Sequence, residues 1–291
     1  MDIMDKKKNS VSYTSRIRSA PKALVLTGFG LNCDWETTYA LELAGAEAER
    51  VHINQLLMGE EIGEIARLDD YQIFAFIGGF SWGDDHGAGV IFATKLLYNI
   101  GDEILRFIEK GNLVIGICNG FQAMVNLGLL PGFDGDYRSR QVALIGNDCG
   151  SFRDQWVHLK VEANSPCVFT QGLEYLELPV RHGEGKFYAE ESVINDLEEK
   201  NQVVVRYADS EGKAAGRHFP ENPNGSLKDI AGICDPTGRV FGIMPHPEAF
   251  NHWTNHPDWP RLKEDYRRRG EPYPQEGYGI QIFRNAVQYF E

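Results

Sequence analysis

Unbroken apolar runs dominate the first half of this chain, and alternating runs dominate the second. Ala23-Leu24-Val25-Leu26, Ile73-Phe74-Ala75-Phe76-Ile77 and Leu113-Val114-Ile115 are continuously apolar. That is the pattern of strands buried on both faces of a parallel sheet. Val51-His52-Ile53 predicts one more strand. Between these runs lie segments of helical spacing. One starts at a cap supplied by Asn32 or Asp34, runs to about Ala44 and stops at Gly45. A second covers Ala88 to Lys110 and ends at Gly111, and a third covers Phe121 to Leu129. Strands alternating with helices predict an α/β fold with a doubly wound, mostly parallel sheet and helices on both faces.

The pattern changes from about Val142. Trp156 to Val161 alternates, as does Val203 to Tyr207, and Ile230–Cys234 and Val240–Met244 flank the turn Asp235-Pro236-Thr237-Gly238. Added antiparallel strands are therefore expected in the second half. The stretch 251–274 is rich in Pro, Trp, His and charge and predicts a surface insertion. Gly279 to Tyr289 returns to helical spacing. Residues 1–20, with Lys6-Lys7-Lys8, predict a disordered arm, and 21–291 a single domain. No internal repeat is visible.

Composition narrows the class. With 291 residues, 42% of them hydrophobic, the chain can bury a sizeable core. A net charge of −13 without a basic patch argues against nucleic acid as a partner. No apolar stretch reaches the length of a membrane span. Cys33, Cys118, Cys149, Cys167 and Cys234 show no paired spacing, so neither a disulfide framework nor a zinc ribbon is expected, and a cytoplasmic location fits. The amino terminus lacks the apolar core of a secretory signal, and Asp2 and Asp5 argue against an organellar presequence.

Two motifs carry chemistry. Gly116-Ile117-Cys118-Asn119-Gly120 joins an apolar run to a helical segment. It has the form of a nucleophile elbow with cysteine at its apex. Flanking glycines are what so tight a bend requires. The turn lifts the sulfur out of the sheet and sets it at a helix N-terminus, where the partial positive charge favours an anion. The second motif is Pro245-His246-Pro247-Glu248. Pro247 biases His246 toward an extended conformation, and residues i and i+2 of an extended chain point the same way. Glu248 can then orient the His246 ring as the base for a cysteine nucleophile.

Further features surround these. Gly78-Gly79-Phe80-Ser81-Trp82-Gly83-Asp84 is a glycine-rich turn after a buried strand. Its backbone N–H groups suit an anion: a phosphate, although the Walker lysine is missing, or the oxyanion of acyl transfer, with the Asn119 N–H as second donor. Gly28-Phe29-Gly30-Leu31-Asn32-Cys33 starts like a dinucleotide fingerprint but has Cys where the third Gly belongs. Cys33 is a rival nucleophile for which no base is predicted. His182 with Glu184 is a rival base pair, and the stretch around Gly183 borders a candidate pocket. His252 and His256 are four apart, but Pro257 favours a loop over a metal-binding helix. No metal ligand set is identified.

Together these residues resemble the class I (triad) glutamine amidotransferases and, within them, the glutaminase subunits of phosphoribosylformylglycinamidine synthase. The matching motifs are Asn32-Cys33-Asp34, Gly78 to Asp84, Cys118-Asn119-Gly120-Phe121-Gln122, His182-Gly183-Glu184-Gly185 and Met244 to Glu248. The resemblance implies a flavodoxin-like sheet and a glutamine amidotransferase domain over 21–291. It implies hydrolysis of L-glutamine through a cysteinyl thioester, with Cys118 as nucleophile, His246 as base and Glu248 as its orienter. Gly79, Phe80, Asn119, Gln122, His182 and Gly183 would form the oxyanion and substrate site. The ammonia would pass to an ATP-dependent synthetase subunit that makes the amidine of purine biosynthesis, with a small accessory subunit as a further partner. No cofactor is expected in this chain; ATP and Mg²⁺ are expected on the synthetase. Ser151 and Gln155 stand where such subunits usually carry Arg, and the arm and the 251–274 segment exceed the family pattern. Two other readings stay open: another amidotransferase or cysteine hydrolase on the same fold, and a catalytically silent regulatory homologue.

Overall fold

The computed structural model describes residues 19–291, so the expected N-terminal arm lies almost wholly outside the described residues. The elements in chain order are β1 (Lys22–Thr27), α1 (Asp34–Ala44), β2 (Glu47–His52), α2 (Ile53–Leu57), α3 (Gly59–Ile62), β3 (Ile73–Phe76), α4 (Val90–Glu109), β4 (Leu113–Ile117) and α5 (Asn119–Leu127). They continue with β5 (Val142–Gly146), β6 (Arg153–Val161), β7 (Tyr175–His182), β8 (Glu184–Ala189), α6 (Glu191–Glu199), β9 (Val203–Ala208), β10 (Ile230–Cys234), β11 (Val240–Ile243), α7 (Trp259–Arg269) and α8 (Ile280–Gln288).

A nine-stranded sheet runs β2-β1-β3-β4-β11-β10-β9-β6-β7. From β2 to β11 every pairing is parallel; from β11 to β7 every pairing is antiparallel. The parallel half has the flavodoxin-like 2-1-3-4-5 order, with β11 in fifth place. The strands read as continuous apolar runs are the buried ones: β3, β4, β10 and β11 have no residue in contact with solvent beyond a trace. Helices α1 and α8 pack together on one face, and α4 and α5 on the other. β5 and β8 form a separate antiparallel pair.

Local details differ from expectation in three places. The N-cap of α1 is Cys33, which makes no side-chain cap bond, rather than Asn32 or Asp34; Gly45 does end the helix, with φ of 104°. The second strand is longer and more polar than Val51-His52-Ile53, because β2 is a sheet edge with only Val51 buried. The segment 251–274, expected as a surface insertion, contains a helix, α7, that was not foreseen. No helix among the described residues is long and apolar enough to cross a membrane.

Register places the chemistry. Ile117 of β4 lies opposite Ile243 of β11 in adjacent parallel strands. Both strands end there, so the residues that follow, Cys118 on one and Met244 to Glu248 on the other, emerge at the same carboxyl edge. In open α/β sheets that edge is where ligands sit.

Candidate active site

Cys118 occupies a strained bend. Its φ of 52° and ψ of −109° lie outside the ordinary helix and strand regions, and α5 begins at the next residue. Such strain costs roughly 1–3 kcal/mol and persists only where the surroundings hold it. Here the Cys118 N–H donates to the Ile243 carbonyl (2.8 Å), and its own carbonyl accepts from Gln122 N (3.0 Å). The glycines have a steric reason. A Cβ on Gly120 would collide with the Phe76 carbonyl, and one on Gly116 with Met124 and with Gly120 itself. Gly120→Ala is therefore expected to destabilise the protein by about 2–3 kcal/mol through overpacking against backbone. A urea denaturation midpoint unchanged from wild type would contradict this.

The His-Pro-Glu segment reaches its geometry by a different backbone from the extended one expected. His246 is extended, but Pro247–Ala249 form a single 3₁₀ turn. Proline at the first turn position fixes the φ that the turn needs. His246 Nδ1 still meets Glu248 Oε1 at 2.5 Å, with both side chains buried. The His246 N–H donates to the carbonyl of Pro179 on β7, which pins the loop to the antiparallel half of the sheet (2.8 Å). Burial, the largest influence, disfavours the charged ring. The Glu248 carboxylate and then Cys118 outweigh it, so His246 titrates well above the usual histidine range.

The glycine-rich turn lies across the elbow. Asn119 joins the two: its Oδ1 accepts from Ser81 N (3.3 Å), and its Nδ2 donates to Asp84 Oδ1 (2.9 Å) and Gln122 Oε1 (3.1 Å). The Phe80 N–H is already donated to the Gly30 carbonyl (2.9 Å), so the expected oxyanion donors reduce to the N–H groups of Gly79 and Asn119. Gln122 turns out to brace the site rather than to present a free amide. Its Oε1 is held by Asn119, and its Nε2 donates to the Glu184 carbonyl. Burial is the main reason Asp84 is raised to about 6, and the nearby Glu184 carboxylate adds to it. A cavity of about 400 Å³ beside the elbow is lined in part by Ala88, Gln122 and Glu184. A larger one, about 760 Å³, is lined by His158, Glu177, His256 and Arg261 among others and includes none of the elbow or His-Pro-Glu residues.

His182 does not pair with Glu184. Its ring lies between Asn147 Oδ1 (3.2 Å) and Asn224 Nδ2 (3.5 Å), while the Glu184 carboxylate accepts from Ala88 N (3.2 Å). Burial, with the charge of His246 nearby, pushes His182 down to about 3, so it is a neutral structural ring at physiological pH. The carbonyl of Gly183 accepts from Asn147 N (3.0 Å), which fixes the same loop. Cys33 was given no base from sequence, yet it sits against the same His246: a Cβ on Gly78 would lie 2.7 Å from His246 Cε1 and 3.0 Å from Cys33 Sγ. Burial pushes the Cys33 thiol up to about 11, and Glu248 and Glu36 add to the rise while His246 opposes it. His252 and His256 do not converge: His252 Nδ1 meets Thr254 (2.7 Å), and His256 Nε2 meets Glu177 (3.1 Å).

Residues 20–290 match the family of CobB/CobQ-like glutamine amidotransferase domains. The chain belongs to this family. It is 46% identical over 275 residues to the phosphoribosylformylglycinamidine synthase subunit PurQ of Methanococcus maripaludis, covering 94% of this chain and 99% of that one. It is 47% identical over 271 residues to the PurQ subunit of Dehalococcoides mccartyi, covering 93% and 98%. A chain in the solved structure of PurLQS from Thermotoga maritima superposes with a TM-score of 0.67 at 30% identity, covering 94% of this chain and all of that one.

Against that family background, the amidotransferase's 251–274 segment packs largely on itself. Trp253 stacks on Tyr273 (5.5 Å, 4° between planes), and Trp259 and Tyr266 meet the same pair edge-on. The arginines Arg267 and Arg268 are paired to Glu264. Exposed aromatics lie instead beside the glycine turn: Phe29, Phe80 and Phe152 are each nearly half exposed, and Phe80 and Phe152 are 6.1 Å apart. Sequence reasoning set Arg181 beside a candidate pocket without giving it a role, and it missed Glu36, Asn147 and Asn224. Among the quoted motifs, Asn32-Cys33-Asp34 and His182-Gly183-Glu184-Gly185 pointed at this neighbourhood.

Proposed function

We propose that this chain is the glutaminase subunit of a phosphoribosylformylglycinamidine synthase, with Cys118, His246 and Glu248 as its catalytic residues. The observation that carries the reading is the alignment at one sheet edge of a strained cysteine at a helix N-terminus with a buried His–Glu pair. The thiolate of Cys118 attacks the side-chain amide carbon of L-glutamine. The developing oxyanion is met by the N–H groups of Gly79 and Asn119. His246, held protonated by Glu248, gives its proton to the departing nitrogen, and ammonia leaves a Cys118 thioester. His246 then takes a proton from water, whose oxygen attacks the thioester carbon. Glutamate leaves and the thiolate is restored.

Ammonia formed in this way needs an acceptor. A synthetase subunit carrying ATP and Mg²⁺ would supply it in the cytoplasm, with a small accessory subunit as a further member of the complex. The exposed Phe29, Phe80 and Phe152 support docking at the glycine-rich turn, since aromatic side chains are enriched at interface cores. That turn also carries the oxyanion donor Gly79, so docking there can set its position. The isolated chain is therefore expected to release glutamate slowly. Addition of the synthetase with its formylglycinamide ribonucleotide substrate and ATP should raise the rate by about 5–150-fold, the usual range of coupling between sites. Full activity alone, unchanged by partner and substrate, would favour an independent hydrolase.

A further inference from the structure

Four potential metal ligands, two of them the His–Glu pair itself, converge at the start of α1. One ligand atom each from Cys33, Glu36, His246 and Glu248 lies within 4.8 Å of every other. Three of the side chains are buried; Glu36 is partly exposed. One polar atom in the group, Glu248 Oε2, is buried without a hydrogen-bond partner. Burying such an atom unpaired is costly, which makes it receptive to a ligand. Thiolate, imidazole and carboxylate in a four-ligand set are the donors that zinc prefers. Bonds of about 2.0–2.3 Å place tetrahedral ligands roughly 3.3–3.8 Å apart, so the widest pairs, up to 4.8 Å, need to close by about 1–1.5 Å while the His246–Glu248 pair, at 2.5 Å, opens by about 1 Å.

We propose that Cys33, Glu36, His246 and Glu248 form an inhibitory site for zinc or a similar thiophilic divalent cation, which removes His246 and Glu248 from the service of Cys118. The inhibitory part rests on the catalytic roles given above; the binding part does not. Glu36 also pairs with the Arg181 guanidinium at 2.9 Å. Binding a divalent cation requires the Cys33 thiol and the ligating nitrogen of His246 to be free of their protons, which pass to solvent. Mg²⁺, which demands six oxygen ligands, does not suit this set.

The test uses the full chain in a Cys149→Ser background, because that exposed thiol would itself capture thiophilic metals. Zn²⁺ held by a metal buffer should abolish glutamate release, while Mg²⁺ at far higher concentration should not. Cys33→Ala and Glu36→Gln should keep basal hydrolysis and need over ~100-fold more Zn²⁺ for inhibition, beyond the roughly 10–100-fold that loss of a supporting contact costs. Co²⁺ gives a readout independent of catalysis. One equivalent should produce a thiolate charge-transfer band in wild type and in the inactive Cys118→Ser protein, and none in Cys33→Ala. Absence of stoichiometric Co²⁺ binding in wild type would overturn the proposal, whatever the glutaminase activity. A band lost in Cys118→Ser but kept in Cys33→Ala would overturn it too, since the metal would then be caught by the nucleophile.

Discussion

Cys118→Ala should lose glutamine hydrolysis by about 10⁴-fold or more, roughly 5.5 kcal/mol of transition-state stabilisation, with its urea denaturation midpoint close to wild type. The loss is large because no other group can form the thioester. Cys33 is the one other sulfur beside His246, and burial keeps it a thiol, with its titration pushed up to about 11. It also lies at the start of α1 and not at a strained strand-to-helix bend. The alanine leaves the oxyanion turn and the docking face untouched. The assembled synthase should therefore still make its amidine product when an ammonium salt replaces glutamine. A glutamine-mimicking diazo-ketone should label Cys118 in wild type and nothing in the variant, as read by peptide mass mapping. Label on Cys33, or substantial glutamate release from the variant, would assign the chemistry to the wrong sulfur.

How much of this was legible in the sequence follows from burial. β3, β4 and β11 are covered on both faces, so they read as plain apolar runs, and the residues at their ends were found with them. Edge positions carry a weaker signal. β7 is the far edge of the sheet and contains Pro179, which argues against a strand in one dimension but is tolerated at an edge. Its Pro179 carbonyl nonetheless fixes the His246 backbone. Helix α7 was hidden by Pro257 and Pro260, although a proline near a helix start is a start signal, and Pro260 sits there. The elbow and the His–Glu pair were legible because each is local. Their surroundings were not: Cys33 and Glu36 come close to His246, and Arg181 to Glu36, only through tertiary packing. Gln122 and His182 were placed in the right neighbourhood, but the bonds that hold them, Gln122 to Asn119 and Glu184 and His182 between Asn147 and Asn224, depend on tertiary packing that a motif does not show.

The His–Glu pair should separate by role. His246→Ala should cost nearly as much as Cys118→Ala, about 10⁴-fold, and the double variant little more, because nucleophile and base act as one unit. Glu248→Gln should cost less, on the order of 10²-fold, and should also move a pH limb. In wild type the Glu248 carboxylate, 2.5 Å from the ring, holds His246 protonated well above its ordinary range against the opposing effect of burial. The proton that must reach the departing ammonia thus stays in place through neutral pH. With glutamine at 248 the hydrogen bond to Nδ1 survives and the charge does not. Burial then acts with less opposition, the imidazolium loses its proton at lower pH, and the basic limb of kcat/KM moves down the scale. A Glu248→Gln profile with the same basic limb as wild type, at any rate, would mean that Glu248 only holds the ring in place and that its charge has no part in keeping His246 protonated.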